Sequence, residues 1–393
     1  MTDSPLCRRR RLFCAAASLV VTLGATTGAL VPPAMAQDAT PVAIGFAGPL
    51  TGPSANYGKD LQLGIGLAIA EANAQKLVIG GKPVTFTLLV EDDQGDPRVA
   101  VQAAQRLVDS NVVAVVGHFN SGTTIPASAV YHRAGIPQIV PAASNPSLTH
   151  QGFKFLYRPY GTDNTVADSA AAYGVHTLQA KRIAVVDDRT AYGQGLADEF
   201  EKAVQAQGGT LVDHEFTSDQ AVDFRAILTT LKGRHADLVF FAGLGVQGSL
   251  FAKQARQVGF DGKLMAGATF ANPAFLKLTG SAANGMLAFE QGAEIARTPG
   301  GQAFLERFRA MYHSDPVGFA VFAYNAAWVA INGMKLADST QPAVFGPAIG
   351  RLSFQGVLGK IAFDANGDLQ DPKMTLYQAV DGCWQAVETV MAP

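Results

Sequence analysis

The sequence predicts an α/β protein built from two doubly wound lobes, and three observations indicate this fold class. Short apolar segments alternate with segments whose apolar residues recur at helical spacing. The segment from Val112 to Val116 is apolar throughout, which is typical of a parallel strand covered by helices on both faces. The alternation starts again at Arg182, so the 393 residues are expected to form two such units rather than one.

The first unit, near residues 41–160, begins with a predicted strand from Val42 to Phe46. The apolar residues of the next segment share one helical face: Leu61, Ile65, Ala68, Ile69 and Ala72. Val84 to Val90 predicts a second strand. Asp96 followed by Pro97 predicts the start of another helix, because aspartate is a good cap and proline fits the first turn.

The second unit, near residues 161–289, begins with a predicted strand over Arg182 to Val186. One face of the helix that follows carries the apolar side chains Tyr192, Leu196, Phe200 and Ala203. Three further strands are predicted at Leu211 to Phe216, Leu238 to Phe241 and Leu264 to Met265. The segment Phe155 to Asn164 is the expected crossing between the two units.

Two helices are predicted after residue 290. The first carries Phe304, Leu305, Phe308 and Met311, and the second, from Phe319 to Leu336, is apolar nearly all round and is expected to be buried. Phe363 to Asp368 reads FDANGD and predicts a turn between strands, since Asn-Gly tolerates positive φ. The spacing of its acidic residues does not fit an EF-hand calcium loop.

The first 36 residues are predicted to be a secretory signal peptide that is removed after Ala36. Arg8 to Arg11 form a positive start, Leu12 to Leu23 is largely apolar, and Ala34-Met35-Ala36 is a small-residue cleavage site. The alternative is a retained membrane anchor, but the glycines and threonines after Leu23 argue against it. The mature protein is therefore expected to be exported.

Charge and cysteine usage exclude several classes of protein. Cleavage would remove four arginines and one aspartate, which takes the formal charge from −2 to −5. No basic run is interleaved with aromatics, so a nucleic acid partner is not expected. Cys383 would be the remaining cysteine, and an exported protein with one cysteine has no internal disulfide. No segment after the signal peptide is apolar for long enough to cross a membrane.

The sequence does not indicate an enzyme, a cofactor or a metal. It lacks the phosphate-loop, GxSxG, HExxH and CxxC motifs, and its seven histidines are not at metal-ligand spacing. The acidic run Glu91 to Asp93 is interpreted as a polar strand end. Cys383 has no histidine near it in sequence, so it is a poor candidate for a nucleophile.

The segment Gly117 to Thr124 is the first candidate for a binding site. It follows the apolar strand at Val112, and ligands of open α/β sheets bind beyond the carboxyl ends of the strands. Ser121 is the predicted cap of a helix, whose free N–H groups and dipole would attract a carboxylate. Gly122 would allow close approach to the backbone. The alternative is that Ser121 only caps its helix.

A second strand end strengthens this hypothesis. Gln138 to Thr149 reads QIVPAASNPSLT, an apolar stretch followed by small residues and Ser144. If the two strands are neighbours, Ser144 and the adjacent backbone lie beside Ser121. Two strand ends with hydroxyl groups and no charge predict a site for a small anionic group.

The chain resembles the periplasmic substrate-binding proteins of branched-chain amino acid ABC transporters, which have the type I periplasmic binding fold. The motifs that carry the resemblance span the mature chain in the order of the family: IGFAGPLTGPSANYGKD, DDQGDP, VVGHFNSGTTIPAS, VPAASNPSLT, LYRPYGTDN, IAVVDDRTAYGQG, FAYNAAWVAINGMKLA and FDANGD. No single motif is decisive, but the ordered set is specific.

The resemblance implies two lobes, joined by a three-segment hinge, that close on a ligand and deliver it to a membrane permease. The domain boundaries it implies are 41–160 plus 290–368 for lobe 1 and 161–289 plus 369–393 for lobe 2. Its ligand-binding positions match, residue by residue, the following residues of this chain: Tyr57, Asn120, Ser121, Ala142, Ala143, Ser144 and Tyr192. Tyr57 could instead be an ordinary loop residue, and Tyr192 could be plain core.

Two departures from the family pattern leave the ligand open. The position at which amino acid binders of the family carry an acid for the ligand ammonium falls at Ala268, and a second-lobe tyrosine position falls near Leu244. A buried ammonium without a partner is costly, so either another acid serves (Asp187, Asp188 or Glu290) or the ligand has no α-amino group. The expected ligand is a branched-chain or related amino acid. The alternatives are a small or aromatic carboxylate or amide, or a role as a ligand sensor.

Overall fold

The computed structural model of the protein describes residues 39–391, so the predicted signal peptide lies outside the described residues. The first part of the chain forms, in order, β1 (Thr40–Gly48), α1 (Ala55–Ala74), β2 (Val78–Ile79), β3 (Lys82–Asp92), α2 (Pro97–Asp109), β4 (Ala114–Gly117), α3 (Ser121–Ala134), β5 (Gln138–Ile139) and β6 (Leu156–Tyr157). These strands form one six-stranded sheet in the order β2-β3-β1-β4-β5-β6. All its neighbours are parallel except β2 and β3.

The next part of the chain builds a second sheet. Its elements are α4 (Asp163–Ala172), β7 (Ile183–Asp187), α5 (Ala191–Ala206), β8 (Leu211–Phe216), α6 (Arg225–Gly233), β9 (Leu238–Ala242), α7 (Gly245–Gln257), β10 (Lys263–Ala266), α8 (Pro273–Thr279) and β11 (Leu287–Gln291). Strands β7 to β11 are parallel to their neighbours.

The last part of the chain contributes to both sheets. It forms α9 (Gly301–Tyr312), α10 (Ala320–Ala337), α11 (Pro342–Ile349), β12 (Ser353–Gln355), β13 (Lys360–Ala362), β14 (Lys373–Val380) and β15 (Cys383–Met391). Helices α9, α10 and α11 pack on the first sheet, whereas β14 and β15 extend the second, antiparallel, to the order β15-β14-β11-β10-β9-β7-β8. The chain therefore crosses between the two sheets three times, before α4, after β11 and before β14.

Each sheet is covered by helices on both faces, which is the doubly wound arrangement that the sequence predicts. In β7 the side chains alternate between two apolar cores: Ile183 and Val185 face α4 and α5, and Ala184 and Val186 face α6 and α7. In β4, Ala114 and Val116 pack toward α1 and α10, while Val115 packs toward α2 and α3. We refer to the layers around the first and second sheets as the first and second lobes.

Most of the predicted elements occur where the sequence places them. Each predicted strand overlaps an observed one, and Asp96 caps α2 by accepting the N–H groups of Arg98 and Val99. Helix α10 is buried along most of its length. One predicted apolar residue is an exception, because Met311 of α9 is 45% exposed. Tyr312 packs inward in its place and donates its hydroxyl to the Leu63 carbonyl at 2.8 Å. None of the described helices is long and apolar enough to span a lipid bilayer.

Candidate ligand-binding site between the lobes

Helix α3 begins at Ser121, but its cap is Asn120. The Asn120 side chain accepts the N–H of Thr123 at 2.9 Å, so the prediction that Ser121 is the cap is wrong. Asparagine caps helices as well as serine does, and Asn120 has the extended backbone that the cap position requires. The Ser121 hydroxyl is therefore available to another group, and it accepts the N–H of Asn145 at 3.3 Å.

The N-terminus of α3 retains donors for a ligand. The first backbone hydrogen bond of the helix runs from the Thr124 N–H to the Asn120 carbonyl at 3.0 Å. The N–H groups of Ser121 and Gly122 precede this bond and have no acceptor inside the helix. Together with the helix dipole, such groups favour a bound anion.

A buried polar chain supports the loop between β4 and α3. His118 is fully buried, its Nδ1 lies 2.6 Å from an Asp93 oxygen, and its Nε2 lies 3.0 Å from the Tyr131 hydroxyl. The Gln138 side chain donates to the Gly117 carbonyl at 2.9 Å. These contacts attach the loop to β3, α3 and β5, so the backbone around Asn120 is held from three sides.

The loop after β5 lies beside the loop after β4, as the sequence predicts. The two strands are parallel neighbours, with Val115 opposite Gln138. The fully buried Arg158 donates to the carbonyls of Ala143 at 3.3 Å and Asn145 at 2.8 Å. This guanidinium holds the Ala142 to Ser144 segment against the first lobe.

The second lobe contributes the opposite wall. Tyr192 lies in the first turn of α5, is 8% exposed, and its hydroxyl has no hydrogen-bond partner among residues 39–391. Burial raises its pKa well above the usual range, and the neighbouring Asp163 adds to this shift. Ala268 and Thr269 follow β10, and Leu244 precedes α7.

A small pocket lies between these walls. It is lined by Phe119, Asn120, Ser121, Ala142, Ala143, Ser144, Tyr160, Tyr192, Leu244, Ala268, Thr269 and Phe319. Its volume is about 20 Å³, which is enough for roughly one water molecule. Six of the seven residues predicted from the sequence are therefore brought together here. Tyr57 does not line the pocket but stacks on Phe119, with ring centroids 5.2 Å apart.

The sequence reasoning missed an aromatic wall of the pocket. Phe119 meets Phe319 edge to face at 5.1 Å, and Tyr160 lies against Phe319 at 6.3 Å. Phe119 directly precedes Asn120 in the segment VVGHFNSGTTIPAS, so the sequence did place an aromatic residue at this strand end. Phe319 comes from the start of α10, some two hundred residues later, and nothing local in its sequence predicts this placement.

Tyr57 joins the two lobes directly. Its hydroxyl donates to the Thr269 carbonyl at 3.1 Å, and burial raises its pKa to about 12. Thr269 has a φ of +85°, an uncommon value for a β-branched residue. Its hydroxyl accepts the N–H of Gly245 at 3.0 Å, and the Glu290 carboxylate accepts the next two backbone N–H groups. The second-lobe rim of the pocket is thus held in a strained but well-bonded conformation.

The three acids considered as partners for an ammonium do not line the pocket. Asp187 is 2.7 Å from His214, and Asp188 accepts the hydroxyl of Thr190 at 2.6 Å. Glu290 bonds the loop after Ala268, and burial raises its pKa to about 7. Within residues 39–391 no cluster of three or more potential ligands is arranged to hold a metal ion.

A larger cavity, about 570 Å³, lies at the three crossings between the lobes. Its walls include Gly161, Gln291 and Asp371. Ligands of doubly wound sheets bind beyond the carboxyl ends of the strands, where Ser121 and Ser144 lie, so we take the smaller pocket as the candidate site.

Two α/β lobes with three crossings and a pocket between them are the architecture of a two-lobed binding protein. A periplasmic binding protein family model matches residues 41–383, and the chain belongs to this family. The family-level resemblance seen in the motifs is confirmed.

The chain is similar to characterised relatives over most of its length. It is 32% identical to the leucine-, isoleucine-, valine-, threonine- and alanine-binding protein of Pseudomonas aeruginosa over 345 residues, 88% of this chain and 91% of the relative. A leucine-binding protein from Thermotoga maritima superposes with a TM-score of 0.82 at 25% identity, over 89% of this chain and 98% of that one. The substrate-binding protein of a branched-chain amino acid transporter from Streptococcus pneumoniae, in complex with isoleucine, superposes with a TM-score of 0.81 at 27% identity. The superposition covers 90% of this chain and 100% of that one.

Proposed function

We propose that this protein is the periplasmic solute-binding component of an ABC importer, and that it captures a branched-chain or related amino acid between its lobes. In this proposal residues 1–36 direct export and are cleaved, and the mature protein reaches the membrane only through the permease that receives its ligand. The lobes comprise residues 41–160 plus 290–368 and residues 161–289 plus 369–393. Neither a cofactor nor covalent chemistry takes part.

The observation that carries the proposal is the convergence of Ser121 and Ser144 from the first lobe with Tyr192 from the second. The N–H groups at the start of α3 and the Ser121 hydroxyl would hold the ligand carboxylate. Ser144, with the carbonyl of Ala142, would hold the polar group next to it. The name of the Pseudomonas relative, which includes leucine and valine, supports an amino acid as the ligand.

The side chain of the ligand would lie against apolar groups. Phe119 and Phe319 from the first lobe and Leu244 from the second are available for this contact. Burial of an aliphatic side chain against them contributes about 1.5–3 kcal/mol to binding.

Closure of the lobes is the proposed mechanism of capture. A space of about 20 Å³ does not admit an amino acid, so the lobes must separate or the walls must move for the ligand to enter. Groups that meet only when the lobes are together, such as Tyr57 and Thr269, would then stabilise the closed state. A ligand that contacts Ser121 and Tyr192 at once favours that state for the same reason.

The apolar side chain of Ala268 favours a second candidate, a ligand without an amino group. It lines the pocket where an acid would otherwise pair an ammonium, and Leu244 adds a second apolar group to the same wall. A small or aromatic carboxylate without an amino group would bind there without a buried unpaired charge.

A thermal-shift screen of the mature protein tests the proposal. A ligand at a hundred times its dissociation constant should add about 2.7 kcal/mol of stability, which corresponds to a shift of roughly a few degrees in melting temperature. We expect leucine, isoleucine or valine to give this shift, with ribose as the negative control. A shift by benzoate or by 2-oxo acids alone would show that the amino acid assignment is wrong.

A further inference from the structure

Asp163 is a buried acid beside the pocket. It is the first residue of α4, at one of the crossings between the lobes, and it is fully buried. Its backbone N–H donates to the Ser144 carbonyl at 2.9 Å. Neither of its carboxyl oxygens makes a hydrogen bond within residues 39–391, although the Ser144 side chain is close enough to favour the ionised form.

Asp163 does not itself line the pocket, but it lies beside two residues that do, Ser144 and Tyr192. One oxygen is 3.8 Å from the position that a Cβ atom of Gly195 would occupy, which places it against the first turns of α5, the helix that carries Tyr192. The Tyr192 hydroxyl is also buried and unpartnered among the described residues. Two polar groups without a partner among the described residues, from the neighbouring helices α4 and α5, thus lie close to the same pocket.

The other nearby acids each accept hydrogen bonds, although Oδ2 of Asp188 has no partner within residues 39–391. Asp187 is paired with His214, Asp188 accepts two bonds from Thr190, and Glu290 accepts backbone N–H groups after β10. An unpaired buried carboxylate is costly, and so is an unpaired buried ammonium. If the ligand ammonium binds beside the Asp163 carboxylate, each charge is the partner of the other, and neither free-energy cost is incurred.

We propose that Asp163 pairs the α-ammonium of an amino acid ligand and so supplies the charge that Ala268 does not. This inference rests on the proposed function, because it requires a ligand with an amino group. It assigns the discrimination between amino acids and the corresponding 2-oxo acids to a residue at the first crossing, at the start of α4, rather than to the wall after β10.

Binding should then be linked to a proton. Burial raises the pKa of Asp163 to about 7. The charged and titratable groups around it are Arg158, which directly follows β6, Glu199 and Tyr192 from α5, and Tyr160. An ammonium beside it would lower this pKa, so the complex forms with the carboxylate ionised. Affinity for the amino acid should be constant above about pH 8 and should fall by up to about tenfold per unit as the pH drops below 7.

The test compares L-leucine with 4-methyl-2-oxopentanoate, which has the same side chain and carboxylate but no amino group. Titration calorimetry of the mature protein between pH 5.5 and 8.5 would be performed on wild type, Asp163→Asn and Asp168→Asn. Asp168 lies on the same helix, is half-buried and does not line the pocket, so it is the matched control.

We expect Asp163→Asn to weaken leucine binding by about 30-fold or more at pH 8 and to leave the 2-oxo acid within about threefold, whereas Asp168→Asn changes neither. In wild type, leucine affinity should fall at acid pH while that of the 2-oxo acid does not. Glu290 also titrates near pH 7, but its ionisation would affect both ligands alike.

Three results would overturn the inference. Equal leucine affinity in wild type and Asp163→Asn would remove the role of Asp163 while leaving the proposed function intact. A parallel loss of both ligands, with no pH dependence specific to leucine in wild type, would show a structural role. Binding of the 2-oxo acid alone by wild type would reject the proposed amino acid function, and the inference with it. The wild-type pH profile needs no variant, so a poorly folded Asp163→Asn would not prevent the test.

Discussion

Gly195→Leu is expected to weaken ligand binding by roughly 5- to 150-fold without lowering the stability of the second lobe. A Cβ atom at Gly195 would lie 2.2 Å from the Asn145 side chain of the first lobe, which itself donates to the Ala191 carbonyl at 2.7 Å. A leucine here would prevent this contact and cost the closed state about 1–3 kcal/mol. Because Gly195 lies inside α5, the substitution should also raise helix propensity by up to about 1 kcal/mol.

The matched control for Gly195→Leu is Gly233→Leu. Gly233 ends α6, and a Cβ atom there meets nothing within 4 Å. Equilibrium titration of both variants with the ligand identified by thermal shift measures the difference. Equal affinities for the two variants would mean that the observed contact between Asn145 and α5 is not part of the ligand-bound state.

Asp60→Ala should lower the free energy of unfolding by about 3–5 kcal/mol. Asp60 is 2% exposed and accepts four backbone N–H groups at the start of α10, those of Val317, Gly318, Phe319 and Ala320, at 2.7–2.9 Å. Burial raises the pKa of this carboxyl group, and the four donors oppose that shift. Each buried donor left without an acceptor costs roughly 1–3 kcal/mol, and water can reach only some of them.

Urea denaturation of the mature protein measures this loss, with Asp96→Ala as the comparison. Asp96 also caps a helix, but it is only partly buried, so water can replace its carboxylate and the loss should be clearly smaller. Asp60→Ala should also weaken ligand binding, because Phe319 lines the pocket and is fixed by this carboxylate. A urea unfolding curve indistinguishable from that of Asp96→Ala would contradict the role given to Asp60.

The fold was predictable because its signals are local. The apolar run at Val112 and the helical spacing around Tyr192 each identify an element within a few residues. Strand ends followed by small polar residues placed Ser121 and Ser144 together, since β4 and β5 are parallel neighbours. The assignment of the cap depended on which of two adjacent good capping residues adopts the extended conformation, and sequence alone does not decide between Asn120 and Ser121.

The rest of the pocket depends on contacts between distant parts of the chain. Phe319 reaches the site because Asp60 fixes the start of α10 against α1, and Thr269 reaches it through the Glu290 carboxylate. The sequence did not indicate Asp163, because its distinguishing feature is a buried carboxyl group without a hydrogen-bond partner within residues 39–391, and only the structure shows this. The family resemblance implies that Tyr57 contacts the ligand. The structure places it one layer behind Phe119, so that role stays a prediction.

The most direct test of the account is calorimetric titration of wild type and of the Ser121→Ala, Tyr192→Ala double variant with the amino acid that gives the largest thermal shift. The two side chains come from opposite lobes, and both line this pocket. We predict one ligand per chain for wild type. Loss of a hydrogen bond to a charged group together with a buried aromatic contact should weaken binding by about 100-fold or more in the double variant. An unchanged affinity in the double variant would show that the ligand binds elsewhere and would contradict the account.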